Sequence, residues 1–304
     1  MAGIKSILII GGSGFIGTHL ALKLRQGYSK VFATYYSHPI RIPGVTFLPC
    51  NLENRNWVKR IVYTTQPDVV IYLAGNNDIQ WSEKNVRTTE LLHSAGPATL
   101  SNFTEILQPR FIFLSNSYVF DGSRGNYHVN DTVLPGSILG RMKLGGENII
   151  RNKSLNYIIL RSSPLFGRGN GKNLNFLDHL RIRLEKNQRI EVASDELHSY
   201  TPVDGFCDVI QLLIDSGIRN RTLHYGGLTK VFYFEFARKF AQRFSYSPHL
   251  ILKKSRISEK GLSEEESFKD FSLNSTQTAE LLKIKPLLLE EGFDLIQKQL
   301  IPKF

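Results

Sequence analysis

Three glycines near the N-terminus, Gly11, Gly14 and Gly17, recur at three-residue intervals. They follow the apolar run 6–11 and precede the segment 15–26, whose apolar residues recur at helical spacing. Between a strand and a helix, such glycines permit a tight turn and let the backbone approach a pyrophosphate, which the N–H groups at the start of the helix bind. The pattern therefore predicts a dinucleotide-binding turn. Its expected cofactor contacts are Gly11, Ser13, Gly14, Phe15, Ile16 and Gly17.

The segment 34–41, at the end of the second predicted strand, carries no carboxylate. In NAD-binding units an acidic residue near this place binds the ribose hydroxyls. Its absence, together with Ser37, His38 and Arg41, favours NADP over NAD because these side chains suit a 2′-phosphate. Further contacts with the cofactor are expected from Tyr36, Ser37, Arg41, Asn51, Leu52, Ala74, Gly75 and Lys143.

Strand-like and helix-like segments alternate along the first half of the chain. Short apolar runs such as 68–74 are typical of strands covered on both faces, whereas segments such as 138–152 have helical spacing. This alternation predicts an α/β fold with a Rossmann-like doubly wound parallel sheet. The pattern loosens later, so we expect a cofactor-binding domain over 1–165 and a small C-terminal α/β substrate lobe over 166–304, packed on it.

Composition is that of an ordinary globular protein, with 41% hydrophobic and 21% charged residues in a chain of 304. No uncharged apolar run reaches about 18 residues, so no membrane association is expected. The N-terminus also lacks the features of a signal peptide. Cys50 and Cys207 lie in unrelated contexts and predict neither a disulfide framework nor a metal site. These features together favour a cytoplasmic protein.

The net charge of +11 comes from 38 Lys and Arg residues against 27 Asp and Glu residues. The basic residues are scattered along the chain and form no long block, so they indicate a solvated surface rather than a nucleic-acid interface. A small anionic ligand such as a nucleotide diphosphate is the most specific reason for the excess.

Six strings of residues carry a resemblance to a known family. They are Gly11-x-x-Gly14-x-x-Gly17, Ser115-x-x-Tyr118-Val119-Phe120-Asp121-Gly122, Gly140-Arg141-x-Lys143-Leu144-x-Gly146-Glu147, Arg161-x-Ser163-x-x-x-Gly167, Thr201-Pro202-Val203-Asp204 and Leu289-Glu290-Glu291-Gly292. With them the chain resembles the extended short-chain dehydrogenase/reductases, and within these the dTDP-4-dehydrorhamnose reductase group, over nearly its whole length. The resemblance implies an NADP-dependent reduction of a keto group on a nucleotide-linked sugar.

The resemblance also implies a catalytic set, from which this chain departs. The family uses a tyrosine as general acid, a lysine four residues later and a serine or threonine that polarises the carbonyl. Lys143 is in place, but Leu139 stands at the tyrosine position and Asn116 at the serine or threonine position. Leucine cannot transfer a proton, whereas an asparagine amide can still donate a hydrogen bond. The expected catalytic residues are therefore Lys143, Asn116 and a substitute acid.

Tyr118 is the first choice for that acid, because the resemblance places it beside the sugar. Other choices are Ser115, Ser117, His93 and Tyr127. The substrate is expected to contact Ser117, Tyr118, Arg161, Ser163 and Tyr200, with His198 and Thr201 nearby. For Arg161 two roles stay open, since it either shapes the substrate pocket or forms a salt bridge that closes the core.

Two classes of function follow from these observations. The first is an NADP(H)-dependent reductase of a nucleotide-linked 4-keto sugar, or a related epimerase or dehydratase, with an unusual proton donor. The second is a binding protein that keeps the dinucleotide, has lost reduction and regulates or scaffolds another enzyme. Either would be compatible with a homodimer or a partner enzyme, and Leu139 is the residue that separates the two classes.

Overall fold

The computed structural model describes residues 6–254 and 268–299. Seven parallel strands form its central sheet. They are β1 (Ser6–Ile10), β2 (Lys30–Tyr35), β3 (Val45–Pro49), β4 (Val69–Tyr72), β5 (Arg110–Asn116), β6 (Tyr157–Ser162) and β11 (Arg221–Tyr225). Their spatial order is β11-β6-β5-β4-β1-β2-β3, so the direction of winding reverses between β1 and β4. In doubly wound sheets ligands bind outside the carboxyl ends of the strands at this reversal.

Helices cover both faces of the sheet. They are α1 (Phe15–Leu24), α2 (Arg55–Thr65), α3 (Ile79–Lys84), α4 (Val86–Glu90), α5 (Gly96–Thr104), α6 (Ile138–Lys153) and α8 (Val203–Asp215). Every residue of β1 is buried, because side chains alternate between the two covered faces. Ile7 and Ile9 join the core that contains α1 and α8 residues, whereas Leu8 and Ile10 join the core that contains α2 residues. The apolar run at 6–10 is thus the centre of both layers.

A smaller lobe, here called the substrate lobe, carries three short sheets and further helices. Its strands are β7 (Leu165–Phe166), β8 (Ile190–Ala193), β9 (Glu196–His198), β10 (Thr201–Pro202), β12 (Val231–Phe232), β13 (Ile251–Lys254) and β14 (Lys269–Asp270). Its helices are α7 (Phe176–Glu185), α9 (Tyr233–Arg243) and α11 (Leu289–Lys298), whereas α10 (Thr276–Leu282) packs against β11 and α8. A separate apolar core, centred on Phe166, Phe236, Phe240 and Phe293, holds α7, α9 and α11 together.

The chain crosses between the two parts more than once. β11 lies beyond residue 165, where the sequence predicts a single boundary, yet it pairs with β6 and completes the large sheet. α8 likewise contributes Val203 and Phe206 to the core shared with α1. β11 and α8 therefore pack with the large sheet although they follow residue 165.

The helical segment that follows α3 has three parts. Between α4 and α5 the backbone forms a π-helical turn, Leu91–Ala95, directly before Pro97. Proline has no backbone N–H, so the regular hydrogen-bond ladder is interrupted at this point. This irregular turn carries His93. A Cβ added to Gly146 would lie 2.1 Å from the His93 carbonyl oxygen. Nowhere in 6–254 or 268–299 is a helix long and apolar enough to span a membrane.

Candidate functional site

A cleft of about 1100 Å³ opens at the carboxyl ends of the parallel strands and continues into the substrate lobe. Most of the residues predicted for the site line this one cleft. They are Gly11, Ser13, Gly14, Phe15, Ile16, Gly17, Tyr36, Ser37, Asn51, Leu52, Ala74, Gly75, Asn116, Ser117, Tyr118, Ser163 and Tyr200. Arg41, Lys143 and Arg161 are absent from its described lining.

The glycine turn packs too tightly for side chains. Gly11 has a φ of +84°, and a Cβ added there would lie 2.8 Å from the Ala74 nitrogen. A Cβ on Gly17 would lie 2.3 Å from the Gly11 carbonyl oxygen. Gly14 precedes α1 without a side-chain cap, and the first turn of α1 contains no acidic residue. The N–H groups of that turn are therefore available to an anion, and the helix dipole favours one there.

A loop of the substrate lobe reaches back to this turn. Asn170 and Asn173 each donate a hydrogen bond from Nδ2 to the Ser13 carbonyl, both at 2.9 Å. Asn170 Nδ2 also lies 2.7 Å from Thr18 Oγ1 on α1. The sequence did not predict either asparagine, because more than a hundred residues separate them from the turn and no local pattern marks them.

At the end of β2, Tyr36, Ser37 and His38 line the cleft, and Ser37 Oγ lies 2.9 Å from His38 Nδ1. Arg41 does not join them. Its neighbours Ile40 and Ile42 are buried in the core, so the side chain between them is exposed to solvent. The predicted contact of Arg41 with the cofactor therefore stays a prediction.

The residue at the expected acid position, Leu139, is buried. It lies on α6. One helical turn later, Lys143 Nζ donates a hydrogen bond to the Leu114 carbonyl at 2.8 Å and is also buried. Burial lowers the pKa of Lys143 to about 7, even though the nearby Glu147 carboxylate favours the charged form. The ammonium thus points into the protein and is not exposed in the cleft.

His93 is buried next to Gly75, which lines the cleft. Its Nε2 bonds the Asn76 carbonyl at 2.9 Å, while its ring contacts the space that a side chain on Gly75 would need. Burial and the nearby Lys143 hold the pKa of His93 well below its ordinary value. The imidazole is therefore neutral and is an unsuitable proton donor near neutral pH.

Of the two roles open for Arg161, the geometry favours the buried salt bridge. Arg161 Nε and Nη2 donate to the two carboxylate oxygens of Glu147 at 2.8 and 2.7 Å. Its guanidinium also lies over the Phe120 ring, 5.3 Å from the centroid. Both charged side chains are almost completely buried, so the pair supports the wall beneath the cleft and does not contact a substrate within it.

Asn116 and Tyr118 remain in the cleft. Asn116 Oδ1 accepts a hydrogen bond from the Tyr118 backbone N–H at 3.1 Å, which fixes the short helical turn Ser117–Val119. The Tyr118 hydroxyl donates to Glu196 Oε2 at 3.1 Å, and His198 Nε2 lies 3.4 Å from the same oxygen. Glu196 and His198 also line the cleft.

Sequence reasoning missed Glu196. The signal was present, because residues two apart in a strand share a face, and His198 was already expected near the substrate. The two side chains project from β9 toward Tyr118, with Phe271 stacked on the His198 ring at a centroid distance of 5.6 Å. This places a carboxylate, a phenol and an imidazole together in the cleft, in the lining that also contains Tyr200.

Known proteins resemble this chain along most of its length. A dTDP-4-dehydrorhamnose reductase of Mycobacterium tuberculosis is 28% identical over 231 residues, which cover 74% of this chain and 71% of the relative. Methionine adenosyltransferase 2 subunit beta of Bos taurus is 25% identical over 163 residues, 54% of this chain and 48% of the relative.

The fold matches solved structures as well. A dTDP-4-dehydrorhamnose reductase from Bacillus anthracis, solved in complex with NADP, superimposes with a TM-score of 0.81 at 20% identity and covers 97% of this chain and 99% of the other. The family model for the RmlD substrate binding domain matches residues 5–268. On this match, the chain belongs to the RmlD substrate binding domain family.

Proposed function

We propose that this chain binds NADP(H) and a nucleotide-linked sugar in the cleft and reduces a 4-keto group on that sugar. The observation that carries the proposal is the continuity of the cleft, which joins the Gly11–Gly17 turn to Ser163 and Tyr200. A dinucleotide and a second ligand can therefore lie side by side. The M. tuberculosis relative, a dTDP-4-dehydrorhamnose reductase, supports the choice of substrate class.

The turn fits the pyrophosphate of the cofactor because it leaves no room for side chains and exposes uncapped N–H groups. NADP is preferred to NAD because no carboxylate lies in 34–41, and the B. anthracis structure was solved with NADP. When bound, NADPH supplies a hydride to the substrate carbonyl carbon. Ser13, Tyr36, Ser37, Asn51 and Ala74 are the residues that would line its site.

The side chains of this chain must then stabilise the carbonyl oxygen and supply its proton. The Asn116 amide can donate a hydrogen bond there, and the phenol of Tyr118 is the proton donor we assign in place of Leu139. Lys143 contributes indirectly, because its bond to the Leu114 carbonyl holds the strand end that leads to Asn116. This division gives Tyr118 the role of acid and Lys143 the role of support.

Incubation with NADPH and a series of dTDP-4-keto-6-deoxyhexoses tests the proposal. We expect oxidation of NADPH that depends on the sugar and falls by at least about tenfold in Tyr118→Phe. The exposed Tyr63→Phe substitution on α2 is the matched control and should keep the wild-type rate. No oxidation above background with any of these sugars would contradict reductase activity.

A second function, dinucleotide binding without turnover, is favoured by one observation. Leu139 and Lys143 are both buried behind the cleft wall, so the tyrosine and lysine of the usual mechanism have no exposed counterpart at these positions. The relative named as a subunit beta of methionine adenosyltransferase suits a protein that acts on a partner enzyme.

The double variant Leu139→Tyr with Asn116→Thr separates the two functions. If the chain only binds, NADPH should bind to wild type and variant alike, and turnover should occur in the double variant alone. If the chain is a reductase that uses Tyr118, wild type should already turn over. Turnover at the same rate in both proteins would contradict the binding-only function.

A further inference from the structure

The loop 167–175, here called the clasp loop, is bonded on one side to the cofactor turn. The carbonyl of Ser13 accepts both asparagine amides, and the Gly14 N–H donates to the Gly11 carbonyl at 3.1 Å. The carbonyl and the N–H of one peptide group, between Ser13 and Gly14, are therefore both fixed. This peptide group directly precedes α1, whose first N–H groups face the phosphate position.

Asn170 uses its whole side chain for this purpose. Its Nδ2 bonds Ser13 and Thr18, while its Oδ1 accepts the backbone N–H groups of Lys172 and Asn173, each at 3.0 Å. The side chain is only 2% exposed. Since a buried amide is costly unless its hydrogen bonds are made, this position selects asparagine strongly.

The clasp loop continues on its other side into α7, which begins at the end of the cleft lined by Tyr200 and Tyr233, here called the sugar-side end. Asn175 caps α7 and donates from Nδ2 to the Gly167 carbonyl at 3.1 Å. The next residue, Phe176, lines the cleft and packs against the rings of Tyr200 and Tyr233, with centroid distances of 6.0 and 5.4 Å. A ligand that contacts Tyr200 or Phe176 therefore contacts the element that continues into the clasp loop.

We infer that Asn170 and Asn173 are positioning residues that couple the two halves of the cleft, so that a ligand at the sugar-side end strengthens NADP(H) binding at the turn. The inference rests on the proposed NADP(H) and nucleotide-sugar sites. Both ligands contact elements that this loop joins, so a ligand that restrains one end of the loop also restrains the bonds that Asn170 and Asn173 make at the other end. By linkage, NADP(H) must then strengthen binding of the sugar-side ligand by the same factor.

Calorimetric titration of NADPH, with and without saturating dTDP-glucose, measures this coupling without any turnover. In wild type we expect dTDP-glucose to lower the Kd for NADPH by about fivefold or more. In Asn173→Ala the Kd for NADPH alone should rise by about three- to tenfold, from the loss of one hydrogen bond. The effect of dTDP-glucose should fall to less than about twofold.

Asn148→Ala, an exposed asparagine on α6 outside the cleft lining, is the matched control and should behave as wild type. Asn170→Ala removes more bonds, so its folding is checked by thermal unfolding, and Asn173→Ala carries the test if Asn170→Ala does not fold. Hydrogen exchange adds a readout without ligand, since amides 13–18 should exchange faster in the Asn173→Ala protein.

The outcomes distinguish the inference from the function on which it rests. Wild-type protein that does not bind NADPH overturns both. Wild-type protein that binds NADPH, with the same Kd, coupling and amide exchange in Asn173→Ala, overturns the inference alone. Loss of coupling in Asn173→Ala with retained NADPH binding supports both.

Discussion

The glycine turn and the buried region around Leu139 and Lys143 differ in what they present to the cleft. At the turn end, Gly11, Gly14 and Gly17 adopt the close packing that dinucleotide binding requires, and a second loop holds them in place. At the wall beside β5, Leu139 occupies the expected acid position and Lys143 is bonded to a backbone carbonyl. The two regions therefore differ in what they present: the start of α1 has no side-chain cap, whereas the side chains of Leu139 and Lys143 are buried.

The largest loss of NADPH affinity is expected from a substitution in the glycine turn. In Gly17→Ala the new methyl group would lie 2.3 Å from the Gly11 carbonyl, so α1 and the turn must separate. We expect NADPH affinity to fall by more than about 100-fold, since the phosphate contacts depend on that close approach. Calorimetric titration measures the loss.

Gly217→Ala is the matched control for that change, because nothing lies within 4 Å of the added methyl group. It should leave both affinity and folding unchanged. Wild-type affinity in the Gly17→Ala protein would show that the turn is not where NADPH binds.

The wall behind the cleft is tested by Arg161→Met. The substitution leaves Glu147 buried without its bidentate partner, so we expect a loss of about 3–5 kcal/mol in the free energy of unfolding. Urea denaturation measures it. In contrast, Arg181→Ala breaks an exposed pair with Glu185 and should cost about 0.5 kcal/mol. Equal effects of the two substitutions would mean that the buried pair does not support the wall.

The buried lysine adds a pH dependence. The pKa of Lys143 is lowered to about 7 in the folded chain, whereas the unfolded chain has the ordinary value of about 10.4. Between these values the unfolded state binds more protons, so this residue makes stability rise with pH and leaves no such gain below pH 7. Urea denaturation at several pH values should show this rise in wild type relative to Lys143→Met.

The comparison with Lys143→Met is needed because another group opposes the trend. Burial raises the pKa of Cys50 to about 11, so the folded chain keeps a proton that the unfolded chain loses, and stability falls there as pH rises. Both proteins share this contribution. A difference between them that does not change with pH would contradict the burial of a titrating ammonium at this position.

The smallest effect is expected at Arg41. Because this side chain is exposed and lies outside the described cleft lining, Arg41→Ala should change the Kd for NADPH by less than about twofold. Ser37→Ala and His38→Ala, at residues that line the cleft, are the informative neighbours. A tenfold loss in Arg41→Ala would restore the role expected from the sequence.

The sheet was largely predictable, because β1, β4 and β6 are buried on both faces and therefore appear as continuous apolar runs. β11 was not. Its sequence, Arg-Thr-Leu-His-Tyr, is polar at most positions, since it lies at the edge of the sheet and is covered less completely. The return of the chain to the large domain was therefore missed along with it.

The candidate site divides in the same way. The turn could be predicted because its glycines are close to one another in the sequence. The bond between Asn170 and Ser13 joins positions 157 residues apart, and the contact of Tyr118 with Glu196 joins positions 78 apart. Neither can be read from spacing, because only the fold brings these elements together. The burial of Lys143 and its bond to the Leu114 carbonyl likewise depend on the packing of α6 against β5.

Titration of the wild-type chain with NADPH and with NADH tests whether the glycine turn binds a dinucleotide and prefers NADPH. The intact turn and the absence of a carboxylate at the end of β2 predict one NADPH site per chain and weaker binding of NADH. The bound NADPH should protect the amides of residues 11–18 from hydrogen exchange. No binding of either dinucleotide, or tighter binding of NADH with no protection of this turn, would contradict NADP(H) binding at the turn.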